Sequence, residues 1–291
     1  MNNGRSSPAD LLEAFVISRC SADAATWFTE QLGQLRAKPD DKTVYLALGY
    51  ATRRLGKGDL KLGAADLASA NTAREGWDPS DWSLDQAARL AFILASYDAD
   101  ASRFRDRLEQ LFRTADVGEL ITFYRGLPLY PEATLHVARA REGARSGMQP
   151  IFEAVAHRNP YPAEQFDENA WNHMVLKALF IGTTLAPIQG LDRRANPTLM
   201  RMLCDYAHER WAAGRPVSQE LWRCVGPHAD IAALDDLSRV LKTGDDQDRK
   251  AAALALAATS TSAGKRLLES VPALAAQIKS GRLTWATLDK A

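Results

Sequence analysis

Residues 231–259 read IAALDDLSRVLKTGDDQDRKAAALALAAT. Leu234, Leu237, Val240 and Leu241 recur every three to four positions, so Ile231 to Thr243 presents one apolar helical face. Gly244-Asp245-Asp246 turns the chain, and Asp248 to Thr259 continues as a helix dominated by alanine. Small side chains let neighbouring helices approach closely. Asp235-Asp236 and Asp245-Asp246-Gln247-Asp248 lack the Asp-Asp-x-x-Asp spacing of a diphosphate site. They read as carboxylates near helix starts, where they meet unpaired N–H groups.

The same rhythm extends toward the N-terminus. Ser7-Pro8, Ser21 and Asp40-Asp41 are helix starts, the third helix ending at Gly56. Helices are expected over Ser83–Tyr97, Ala101–Ala115, Val117–Leu127, Pro131–Ala144, Gln149–Arg158 and Phe166–Ile181. Leu60 to Gly76 is poorly patterned, and Asp78-Pro79-Ser80 is a further start signal. No strand-like alternation competes. The expected fold is all-α with a helical-repeat (HEAT-like α-solenoid) architecture; a compact helical bundle stays open as the alternative. The Gly56–Pro79 stretch suggests a division into an N-terminal helical segment, 1–78, and a helical-repeat region, 79–291, within what can also be one continuous domain.

Polar chemistry concentrates between Ala170 and Trp211. In its first helix Trp171, Met174, Val175, Ala178 and Leu179 share a core face. His173 and Lys177 lie one turn apart on another face, with Asn172 beside them. In the second helix Leu199, Met202, Leu203, Tyr206 and Ala207 repeat the core spacing. Arg201, Asp205, His208 and Glu209 form the polar stripe. Asn196-Pro197 supplies its cap and first turn. The connection from Gly182 to Ala195 is long for a helical link and apolar before Asp192, so it is expected to pack back onto the protein. Arg193 and Arg194 offer planar forks to an anion. Asn172, His173, Lys177, Asp192, Arg193, Arg194, Asn196, Asp205, His208 and Glu209 are the candidate ligand- or partner-binding residues. Lys177, Asp205 and His208 are expected to approach one another below the two arginines. Trp171, Trp211 and Trp222 read as core or groove walls.

Composition narrows the class. Of 291 residues, 46% are apolar and 25% charged, an ordinary globular balance. Lys and Arg number 36 against 36 Asp and Glu, which argues against a nucleic-acid surface. Three cysteines, Cys20, Cys204 and Cys224, form neither a disulfide framework nor a zinc knuckle. The N-terminus carries Asp10 and Glu13 where a signal peptide is apolar, and the longest uncharged run, Ala178–Leu191, is too short and broken to cross a bilayer. A cytoplasmic chain is expected. Gly56-Lys57-Gly58-Asp59 follows a helix, not a strand, and lacks the Gly-Lys-Ser/Thr ending of a P-loop. His208-Glu209-Arg210-Trp211-Ala212 has Ala where a zinc protease needs its second His. No cofactor and no metal are expected, and no catalytic motif is recognised.

One stretch, WNHMVLKALFIGTTLAPIQGLDRRANPTLMRMLCDYAHERWAAGRPVSQELWRCVGP at 171–227, resembles the EboA family of metabolite traffic proteins. Its LDRRAN core and DYAHERWAAGR run carry the resemblance. The resemblance implies a bacterial operon that moves a cytoplasmically made metabolite precursor toward the periplasm. It also implies partners among the other ebo-operon proteins or a small metabolite. It brings no catalytic roles. The alternative is an enzyme acting on an anionic metabolite, with His208 oriented by Asp205 as acid or base and Arg193 or Arg194 neutralising substrate charge.

Overall fold

A computed structural model describes residues 6–288. Among the described residues the chain forms α-helices and short 3-10 turns, with no β-strand. The first part contains α1 (Pro8–Ile17), α2 (Ala22–Ala37), α3 (Asp41–Leu55), α4 (Ala64–Ala73) and α5 (Leu84–Ala95). It continues through α6 (Ala101–Thr114), α7 (Val117–Arg125), α8 (Val137–Ala144), α9 (Gln149–Ala156) and α10 (Tyr161–Gln165). Next come α11 (Glu168–Ile181), α12 (Pro197–Ala212), α13 (Leu221–Val225) and α14 (Ile231–Thr243). The last are α15 (Asp246–Ala257), α16 (Ser262–Glu269), α17 (Pro272–Lys279) and α18 (Trp285–Leu288). The all-α class is therefore the one expected. Two compact units divide between Phe166 and Asp167.

The first unit is built around α5. From Leu84 to Ile93 almost every residue of this helix is buried, and α1, α2, α3 and α7 pack on it. A helix enclosed on all sides is apolar all round. Its two charges are the exceptions, and they satisfy each other. Arg89 lies 3.5 Å from Asp85 and 3.6 Å from Glu119. Arg89 also donates to the Leu48 carbonyl at 3.2 Å and to the Thr52 hydroxyl at 3.2 Å. Asp85 accepts from Thr52 at 2.6 Å and from Ser83 at 2.5 Å. A second buried arginine, Arg107, donates to Asp41 at 2.8 Å and to the carbonyls of Ser96 and Pro39 at 2.8 and 2.5 Å.

Two local expectations need correction. Leu60 to Gly76 holds a helix, α4. Its pattern is faint because only Ala70 is buried. It starts because Asp66 accepts from the Gly63 N–H at 3.0 Å, and it docks through an Arg19–Asp66 ion pair of 2.5 Å. Asp78-Pro79-Ser80 starts no helix. Asp78 closes a local turn by accepting from the Ser80 N–H at 3.1 Å, and α5 begins after Ser83. The glycine-rich link Gly56–Asp59 is a tether: the Leu84 N–H donates to the Gly58 carbonyl at 2.8 Å and the Leu60 N–H to Trp82 at 2.9 Å.

The second unit is built around the alanine-rich helix. Ala251 to Leu256 of α15 are buried beneath α13, α14, α16, α17 and α18. The close approach predicted from small residues is present at Gly226, where an added Cβ would sit 2.2 Å from the Ala255 carbonyl oxygen. Asp245 caps α15 and Asp248 answers it in a capping box, as expected of helix-start carboxylates. Asp235 and Asp236 lie instead inside α14, whose cap is Asp230, accepting from the Ala233 N–H at 3.0 Å.

Candidate functional site

The central stretch lies wholly in the second unit. Asp167 caps α11 by accepting from the Ala170 N–H at 2.8 Å, and Gly182 ends it with a positive φ of 75°. Trp171, Met174, Val175, Ala178 and Leu179 are buried as their spacing predicts. On α12 the buried stripe is Leu199, Met200, Leu203, Cys204 and Ala207, while Met202 and Tyr206 sit at its edge. The helices meet through Tyr206, whose hydroxyl donates to the Leu179 carbonyl at 3.2 Å.

The connection between them packs inward, with Leu185, Ile188 and Leu191 buried. Several anchors hold it. Asn172 is 1% exposed and exchanges side-chain amide bonds with Asn196, at 3.2 and 2.8 Å. Asn196 also caps α12 by accepting from the Leu199 N–H at 2.8 Å. Asp192 receives two bonds from Arg223, at 2.6 and 2.8 Å. Glu220 accepts from the Leu185 and Ala186 amides, and His228 meets the Ala195 carbonyl at 2.9 Å. Arg194 lies over the Trp171 ring at 4.8 Å. Burial lowers the pKa of Arg194, the neighbouring Arg193 charge adds to this, and Asp167 and Glu168 oppose it.

Asn172, Asn196, Asp192 and Arg194 are thus brought together as fasteners of one loop. Arg193 and His173 are exposed, and Lys177 is half-buried on α11. Asp205 and Glu209 are exposed without side-chain hydrogen bonds or ion pairs among the described residues. His208 does have a carboxylate partner, but it is Asp236 of α14, with Nε2 at 2.8 and 2.9 Å from its two oxygens. Asp205, one turn away on the same helix, is not the acid that meets it.

That contact leads to chemistry that sequence reading passed over. His208 and Trp211 on α12 are three apart, as are Asp236 and Arg239 on α14, so each pair forms one helical stripe. The stripes face each other. Arg239 places its guanidinium carbon 4.3 Å from the centre of the Trp211 ring, and Trp211 stacks on Trp222 at 5.9 Å with 26° between planes. Beside them opens a cleft of about 270 Å³. Trp211, Trp222, Arg215, Gln219, Arg239, Val240, Thr243, Asp245 and Asp248 line it. The i, i+3 stripes were present in the sequence, but their pairing across two helices was not.

Cys204 and Cys224 are buried and free. Burial, reinforced by Asp236, Asp230 and Asp205, raises the Cys204 thiol to about 12; burial, with Asp192, raises Cys224 to about 12. Both remain protonated, hence poor nucleophiles, until pH approaches that value. Burial also raises Cys20, which is only half-buried. Labelling with a thiol-reactive disulfide at pH 8 is expected to modify Cys20 first and the other two only after denaturant unfolds the chain. Rapid labelling of three thiols in the native protein would contradict this.

Fold and site define an all-α protein with a firmly braced loop beside an aromatic, arginine-bearing cleft. The chain belongs to the EboA family: the family model described as metabolite traffic protein EboA matches residues 8–226, well over half of the 291. No curated protein and no solved structure matches. No helix among the described residues is long and apolar enough to cross a membrane.

Proposed function

We propose that this metabolite traffic protein acts by holding: a cytoplasmic helical scaffold that keeps a metabolite precursor, or an ebo-operon partner carrying it, on the way toward the periplasm. The helical-repeat reading of the α14–α15 pair belongs to the same proposal. The observation that supports holding is the disposition of the second unit's polar groups. Asn172, Asn196, Asp192 and Arg194 spend their bonding capacity on bracing the 182–195 connection. The concave surface beside α12 is walled by rigid aromatics and guanidinium groups, features that favour binding.

The test is to purify the full chain from cells expressing the rest of the operon, then release and weigh what it carries. A single small molecule at near-equal amount, or specific capture of an operon product, is the expected result. Neither, from a folded chain, would overturn the reading.

A second reading, acid–base catalysis, is favoured by one observation, the His208–Asp236 pair. It requires that His208→Gln abolish conversion of the metabolite while leaving its retention intact.

A further inference from the structure

We propose that the outward face of α3 is a docking surface for an acidic amphipathic helix of a partner protein. It goes beyond the holding reading and does not depend on it, since α3 lies in the first unit and the cleft in the second. Three observations carry it.

First, α3 is apolar on both sides. Val44, Ala47, Leu48 and Ala51 are buried, and α2 and α5 pack on this helix. A helix covered on one side ordinarily turns a polar face to water. Here Tyr45, Leu46 and Tyr50 are 37%, 48% and 46% exposed. No other helix among the described residues exposes more than one large apolar side chain. Grouped on neighbouring turns, the three mark a binding face, which singly scattered residues do not. Gly49 is exposed beside them, with open space where a Cβ would stand, so a second helix can come close.

Second, the charge at this face is one-sided. From Lys42 to Gly58 the chain carries Lys42, Arg53, Arg54 and Lys57 and no acid. None of the four makes a side-chain hydrogen bond or ion pair among the described residues. Arg54 lies over the Trp27 ring at 5.9 Å. The acids that bound the run are offset: Asp41 pairs with Arg107 at 2.8 Å, and Asp40 is faced by Lys38. With Asp59 set against Lys61, and Asp23 and Glu30 of α2 set against the four cations, two positive charges stay over.

Third, the spacing is that of one helix lying along another. Lys42, Leu46, Gly49 and Arg53 fall at i, i+4, i+7 and i+11. They form a stripe about 16 Å long with a cation at each end. Its complement is three helical turns with a carboxylate at each end and apolar residues at the two positions between. The pattern reads the same in both directions, so either chain direction fits. A membrane surface fits less well: side chains about half exposed lie nearly flush and offer little to insert.

The probe is a fluorescent, alanine-rich helical peptide carrying Glu-x-x-x-Leu-x-x-Leu-x-x-x-Glu, titrated against the full chain by anisotropy. The same peptide with Lys for Glu, and vesicles of phosphatidylserine and phosphatidylcholine, are the comparators. Saturable one-to-one binding of the Glu peptide is expected, with the Lys peptide weaker by at least about tenfold. Lys42→Glu combined with Arg53→Glu is expected to reverse that preference, with a melting temperature near wild type because both side chains are exposed. Gly49→Gln fills open space in a helix, so it is expected to raise the melting temperature. It should also weaken the Glu peptide by about fivefold, because the second helix can no longer come close.

No saturable binding of the Glu peptide by the folded wild type below about 1 mM overturns the proposal. So does equal binding of both peptides, or a preference that the double variant leaves unreversed. Vesicle binding without peptide binding, abolished by the same double variant, assigns the face to a membrane instead. A dimer of the chain that Gly49→Gln dissociates assigns it to a second copy. Either result overturns the partner-helix assignment.

Discussion

Arg89→Met is expected to destabilise the first unit by about 3–5 kcal/mol, the cost of leaving one member of a buried pair without its counterpart. Both side chains are almost wholly removed from water, 8% and 4% exposed. Methionine preserves the length of the stem and removes the guanidinium, so packing changes little. What remains is Asp85 among apolar neighbours, with only the Thr52 and Ser83 hydroxyls as donors. The Leu48 carbonyl also loses its side-chain donor. Removing both charges, as Asp85→Asn with Arg89→Met, is expected to recover most of the loss. Buried pairs are costly chiefly when broken. Urea unfolding of the single and double variants measures this. A single variant within 1 kcal/mol of wild type would show that water reaches the pair.

Gly226→Val is the second large effect, expected to cost about 3 kcal/mol or more through overpacking. Even a Cβ would stand 2.2 Å from the Ala255 carbonyl oxygen and 2.7 Å from the Ala255 Cα. Backbone cannot rotate away as a side chain can, so the 226–228 turn and α15 must separate. That separation exposes the most buried helix of the second unit. Gly226→Ala should lie between glycine and valine. Thermal melts that leave Gly226→Ala unchanged would mean that the two backbones part at little cost.

Much of this architecture was legible in advance, for reasons that differ by position. Helix starts such as Ser7, Ser21, Asp40 and Asn196 were readable because a cap is a local bond between residues three apart. The core face of α11 was readable because one apolar stripe dominates it. On α4 a single buried alanine leaves almost no period to detect. The glycine-rich stretch around Gly56–Pro79 reads as a division in the chain. α1, α2 and α3 all pack on α5 across that stretch, and the compact units part after Phe166. Sequence punctuation marks where helices stop, not which helices later meet.

The site shows the same limit. The polar residues of 170–211 were conspicuous because they cluster in the chain. The groups that meet this stretch, Glu220, Arg223, His228 and Asp236, lie 28 to 35 positions from their partners and carry no local signal. Asp236 in particular read as a helix-start carboxylate. Only the packing of α14 on α12 turns it toward His208.

The stretch that matches the family ends at residue 226, and the helix that fills the second unit begins twenty residues later, at Asp246. One wall of the cleft, Trp211 and Trp222, lies inside the matched span, whereas Arg239 lies outside it. A fragment cut at Gly226 would leave the faces of α12 and α13 open to water where α14 and α15 cover them. The span that matches the family and the unit that packs together therefore end at different residues.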